Sequence, residues 1–316
     1  MMAATDRHAH GLAPGTGVGR LSAALALIVA FMAGEVAAGL AAHSLALISD
    51  AAHMLTDAAA IALALITARL AARPPGGGYT YGLKRTEIMS AQANGIILVL
   101  LAAWLGYSAI RRLASPPPVA GATMIAVALA GVAVNVAATL LIARSGSQSL
   151  NVAGALRHIV TDLYAFAATA VAGLVIVATG FARADAIATL VVVVLMLHAG
   201  YGLIRDSGRI FLEAAPAGLD PQAVGAAMAA RPDVAEVHDL HIWEITSGMP
   251  AASAHVLVAP ARDCHAVRAD LEAFLADRYS IRHATLQVDH ATATDAADGQ
   301  HCDDAHGPAY RPGEVA

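Results

Sequence analysis

Residues 43–65 read HSLALISDAAHMLTDAAAIALAL. The stretch is long and apolar enough for a bilayer-spanning helix, except for Asp50, His53 and Asp57. At about 100° per residue, these three side chains fall within one arc of about 60° on a helix. An ionised acid at mid-bilayer costs about 2.5–3.5 kcal/mol even on the lenient insertion scale. Polar residues kept there face a partner, an ion or a water-filled cavity.

A second apolar stretch repeats the pattern. In ALRHIVTDLYAFAATA, His158 and Asp162 are four apart and share a helix face. Two helices that each offer one imidazole and one carboxylate supply four ligands. Two nitrogens and two oxygens in tetrahedral array suit Zn²⁺. The competing reading, interhelical hydrogen bonding, explains a single such pair well but two copies on separate apolar helices poorly.

The rest of the chain supports a membrane setting. Of 316 residues, 58% are hydrophobic, 14% charged and 4% aromatic, against about a quarter charged in soluble domains. Ionisable residues are sparse from 21 to about 205 and frequent thereafter. The pattern predicts an α-helical membrane protein with six transmembrane helices, at roughly 21–41, 46–71, 87–110, 119–143, 151–180 and 184–204. A polar leader precedes the first apolar run, which is too long for a signal peptide core and contains Glu35; it reads as a retained helix. With the N-terminus inside, ten Lys and Arg residues fall on the cytoplasmic side, and only Arg111, Arg112 and Arg183 outside. Both termini are therefore expected in the cytoplasm, with the protein multi-pass in the cell (inner) membrane.

The soluble part changes period. Residues 221–230 and 263–278 read as helices, and 234–245, 251–259 and 281–289 as strands. This αββαβ order predicts a cytoplasmic α+β domain, a small antiparallel sheet with helices on one face. The expected division is a leader at 1–20, a six-helix membrane domain at 21–205, a soluble domain at 206–290, and a disordered Ala/Asp/Gly-rich tail at 291–316, with the functions of the two domains implied by the resemblance that follows.

Several stretches together resemble one family. SLALISDAAHMLTDA, YTYGLKRTEI, RRLASPPPV, the H-x-x-x-D of the fifth span and VHDLHIWEITSGMPAASAHV occur in the order found in cation diffusion facilitators of the zinc-efflux type. The resemblance covers about 20–290 and implies a metal/proton antiporter with a metallochaperone-like soluble domain. It implies transport ligands at His53, Asp57, His158 and Asp162, the set of the zinc-preferring branch. Asp50 matches an acid beside the site, with either a proton-handling or a structural role, and Glu35 is a further candidate for the cavity lining. The resemblance also implies a homodimer that binds regulatory metal, with His238, His255 and Asp289 at matching ligand positions. His241 lies at an odd offset from His238 and on a regular strand faces away. The loop 73–85 carries no His, and 144–150 lacks a His-rich insert. His8, His10 and HCDDAH at 301–306 offer loose metal-catching groups.

Other functions fit less well. Lys84, the only lysine, is followed by arginine, which excludes a Walker A loop and the Asp-Lys motif of ion-pumping ATPases. A net charge of −5 argues against nucleic acid. No H-E-x-x-H is present, so an intramembrane zinc hydrolase is a poor alternative to transport, as is a membrane metal sensor. The implied partners are divalent metal ions, protons and the bilayer. No cofactor is expected; Zn²⁺ is substrate and possible regulatory ligand.

Overall fold

The computed structural model describes residues 17–143, 150–291 and 307–313, with some side chains inside the helices excepted. Six long helices come first: α1 Gly17–Ala42, α2 Leu45–Ala71, α3 Thr86–Ala114, α4 Gly121–Ala143, α5 Leu150–Thr179 and α6 Arg183–Phe211. Among the described residues, α3 and α6 are each long and apolar enough to cross a bilayer by length and composition. After them come α7 Pro221–Ala229, β1 Val234–Thr246, β2 Met249–Val258, α8 Cys264–Tyr279 and β3 His283–His290. The chain forms two compact units, one of residues 1–63 and 93–203, the other of 64–92 and 204–316.

In the first unit, small residues let helices approach closely, as expected where apolar lipid gives little reason for bulky side chains to associate. A Cβ on Gly131 in α4 would lie 2.2 Å from the ring of Phe166 in α5, so that ring occupies the space glycine leaves. At the other end of the same pair, a Cβ on Gly121 would lie 2.7 Å from the Gly173 carbonyl oxygen.

The start of α2 is held from elsewhere in the chain. His43 has φ +54, which ends α1, and Ser44 then caps α2 by accepting from Leu47 N at 3.2 Å. The Ser44 hydroxyl donates to Asp185 Oδ1 at 2.5 Å. Leu45 N and Ala46 N also donate to the Asp185 carboxylate, at 2.9 and 3.1 Å. Asp185, in the first turn of α6, therefore satisfies amides that would otherwise be orphans at the positive end of α2. Arg112, near the end of α3, lies 3.6 Å from the same carboxylate and donates to the His43 carbonyl at 2.6 Å.

In the second unit the sheet order is β1-β2-β3, with α7 and α8 packed on one face. Val224 and Met228 of α7 and Val267, Leu271 and Leu275 of α8 bury against Val237, Ile242, Ala254, Val256 and Leu286. Asp263 caps α8 by accepting from His265 N and Ala266 N. The sheet is mixed, not antiparallel as expected. β1 and β2 form an antiparallel hairpin, but β3 runs parallel to β2. The cause is α8, which crosses over between β2 and β3 and returns the chain in the same direction, whereas the tight turn between β1 and β2 reverses it.

The chain after β3 is not featureless. Tyr310 forms an antiparallel bridge with Val237, and its ring is buried in the domain core. The expectation of a disordered tail from 291 therefore does not hold for residues 307–313. The ring has room because residue 225 is glycine: a Cβ there would lie 2.4 Å from Tyr310.

Candidate functional site

Two groups of candidate residues need separate treatment. His53 and Asp57 both lie within α2, and His158 and Asp162 within α5. Each pair keeps the four-residue helical spacing, so each pair occupies one face of its helix. Their side chains lie outside the described residues. The described neighbours are informative. Met54, next to His53, Ala128 of α4 and Phe166, one turn after Asp162, belong to one buried apolar cluster. Phe31 and Met32 of α1 pack against it, with the Phe31 and Phe166 rings edge to face at 6.1 Å. Residues of α1, α2, α4 and α5 thus share one apolar cluster. Glu35 of α1 and Asp50 of α2 are buried in the same unit, at 1% and 2% exposure.

The second group lies on the sheet face opposite α7 and α8. His238 of β1 stands directly across from His255 of β2, and their rings meet edge to face at 5.4 Å. Glu236 Oε1 lies 3.2 Å from His238 Nδ1. Asp289 on β3 pairs with Leu257, which has the same facing as His255. Gln287, not Asp289, is directly opposite His255, and its amide donates to Asp289 at 2.9 Å. Asp289 therefore shares the face with the two histidines but stands one alternate position further along the sheet.

His241 is not turned away. His238 pairs with His255 and His241 with Ser253, so three steps on β1 match two on β2. This is a β-bulge, and Asp239 within it has φ +51, a left-handed conformation in which Asp is among the more tolerated residues. The extra residue restores His241 to the face that carries His238 and His255. The Asp239 carboxylate then lies between two imidazoles, 2.9 Å from His241 Nε2 and 3.9 Å from His255 Nε2. With His283, which pairs with Ala251 and so has the same facing, the sheet face carries four imidazoles and three carboxylates, a donor set suited to late first-row divalent metals. Among the described residues no three of these groups already converge as a ready metal cage.

Asp239, Glu236 and Asp185 are polar residues that reading the sequence did not single out. The HDLH spacing around Asp239 carries no bulge signal, since only the backbone conformation creates one. Asp185 looks like an ordinary first-turn acid until α2 is brought to it.

Comparison with known proteins covers nearly the whole chain. Residues 21–212 match the cation efflux transmembrane domain, and residues 216–291 the cytoplasmic domain of cation efflux proteins. The chain is 36% identical over 273 residues to the zinc transporter ZitB of Escherichia coli, covering 86% of this chain and 87% of that protein. It is 36% identical over 304 residues to the metal cation efflux system protein CzcD of Cupriavidus metallidurans, covering 95% and 94%. It is 32% identical over 289 residues to a cadmium, cobalt and zinc/H(+)-K(+) antiporter of Bacillus velezensis, covering 90% and 92%.

Proposed function

The chain belongs to the cation efflux family, a family of membrane transporters rather than enzymes, and from that premise we propose that it exports Zn²⁺, with Cd²⁺ or Co²⁺ as further substrates, in exchange for protons. The observation that carries this reading is the pair of His/Asp sets on α2 and α5, helices whose Met54, next to His53, and Phe166, one turn after Asp162, share one buried cluster. His53, Asp57, His158 and Asp162 bind the ion. Zn²⁺ takes neutral imidazole and ionised carboxylate, so its entry displaces protons and proton entry displaces it. That competition is antiport in chemical form. Asp50 and Glu35, buried beside these helices, handle protons or line the cavity.

All six long helices cross the cell membrane, within a transport domain of 21–205, and both termini are cytoplasmic. The domain at 206–290 dimerises two copies and binds regulatory metal at His238, His255 and Asp289. The relatives' names support the metal and the counter-ion: zinc transporters, a metal cation efflux protein and a cadmium, cobalt and zinc antiporter. An intramembrane hydrolase or a metal sensor gains no such support.

The test is zinc flux in proteoliposomes under an imposed pH gradient. Wild type moves zinc against the proton flow. His53→Ala, Asp57→Ala, His158→Ala and Asp162→Ala each insert normally and lose flux. Wild-type flux in any two of them overturns the site assignment.

A further inference from the structure

Residues 307–313 lie beyond both family matches, the second of which ends at 291. They nevertheless dock on the soluble domain. Tyr310 N donates to the Val237 carbonyl at 2.8 Å, and Val237 N donates to the Tyr310 carbonyl at 2.9 Å. These bonds use the edge of β1 that faces away from β2. The neighbouring Arg311 extends along the same edge and donates from Nε to Glu236 Oε2 at 2.8 Å. Glu236 is only 5% exposed and sets its other oxygen 3.2 Å from His238 Nδ1. A hydrogen bond from Arg311 to Glu236 and a 3.2 Å approach of Glu236 to His238 therefore lead from the C-terminal segment to an imidazole on the histidine-rich face.

We propose that residues 307–313 are a strap whose Arg311 holds Glu236 against Nδ1 of His238, making Arg311 and Glu236 positioning residues for metal binding on this sheet face. The proposal rests on the reading of His238 as a soluble-domain metal ligand. Outer carboxylates that engage one ring nitrogen fix the imidazole's tautomer and orientation and raise its basicity. With Glu236 beside Nδ1, a metal on this face would bind through Nε2. Arg311 fixes the position of the buried Glu236 carboxylate, and it does so from outside the matched domain, which ends at 291. Tyr310 is the anchor: its ring in the space beside Gly225 and its two backbone bonds fix where Arg311 stands.

The experiment uses the full-length protein in detergent with Trp104→Phe, which leaves Trp243 on β1 as the sole tryptophan, and with His53→Ala to remove transport-site binding. Co²⁺ is titrated and quenching of Trp243 is followed. The expected result is that His238→Ala abolishes the quench. Arg311→Ala, Glu236→Gln and a chain ending at His306 should each weaken the apparent Kd about 10–100-fold. Arg311→Lys, which keeps the charge, recovers most of the affinity. Thermal unfolding of every variant separates lost folding from lost affinity, and Glu236→Gln, close in shape, serves if Arg311→Ala fails to fold. If His238→Ala binds Co²⁺ like its parent, the metal-site reading fails and the strap's role fails with it. If His238→Ala loses binding but Arg311→Ala, Glu236→Gln and the shortened chain keep the parent Kd, the strap proposal alone is overturned.

Discussion

Asp185 in α6 accepts the Ser44 hydroxyl at 2.5 Å although the two residues are 141 apart in sequence. The contact joins the first turn of α6 to the first turn of α2, the helix that carries His53 and Asp57. Its carboxylate also takes two α2 amides and faces Arg112. Replacing it with Ala leaves buried donors without their acceptor, a loss of about 1–3 kcal/mol. Asp185→Ala should therefore lower the thermal midpoint in detergent and reduce zinc flux, because α2 loses its fixed starting point. Asp185→Asn keeps one acceptor oxygen and should fall between it and wild type. Equal midpoints for all three proteins would show that the contact contributes nothing to the fold.

The α4–α5 contact gives a steric prediction. Gly131 leaves room for the Phe166 ring, and any side chain at 131 enters it. Gly131→Leu should destabilise by about 1–3 kcal/mol as the cluster of Met54, Ala128 and Phe166 is pushed apart. Phe166→Ala in the same chain vacates the space and should return part of the loss. Unfolding midpoints of the two single variants and the double variant decide it, and strictly additive losses would place the two residues out of contact.

The membrane helices were legible because apolar length and Pro/Gly breaks survive any packing arrangement. The His/Asp pairs were legible because helical spacing alone puts each pair on one face. The parallel pairing of β3 was recoverable in principle, since a helix between two strands implies a crossover. Three features were not legible, each for a physical reason. His241 obeys period two only on a regular strand, and the left-handed Asp239 adds a residue to β1. Asp185 acts on amides far away in sequence. Tyr310 sits among Pro, Gly and Asp, a composition that reads as disorder, while its binding partner is the absence of a side chain at Gly225.

Tyr310 also gives a pH prediction. Burial pushes its phenol above the ordinary tyrosine value, with the nearby Asp220 adding to the shift. A raised folded value means the folded protein holds the phenolic proton more tightly than the unfolded chain. The neutral ring's contribution is therefore complete below about pH 10, the ordinary tyrosine value, and is lost as pH rises through the higher folded value. Strap docking should weaken across that alkaline window and stay constant below it. Tyrosinate absorbance of wild type minus Tyr310→Phe should show one late-titrating phenol. A difference curve centred on the ordinary value would mean that the ring is not buried in solution.

Selectivity tests the transport site most sharply. Two imidazoles favour Zn²⁺ and other late first-row ions, whereas oxygen-only sites suit Mg²⁺, Ca²⁺ and Mn²⁺. Four short protein ligands also disfavour ions that prefer six. Wild type should therefore carry Zn²⁺ well, Cd²⁺ or Co²⁺ less well, and Mn²⁺ or Mg²⁺ poorly. His53→Asp exchanges a nitrogen for a charged oxygen and makes the empty site more negative by one charge. The harder site should discriminate less against Mn²⁺ and Cd²⁺, with a lower overall rate. Competition flux of paired metals, wild type beside His53→Asp, reads the effect. If wild type carries Mn²⁺ as readily as Zn²⁺, or if the variant keeps the wild-type preference, then His53 does not select the ion and the metal is chosen elsewhere.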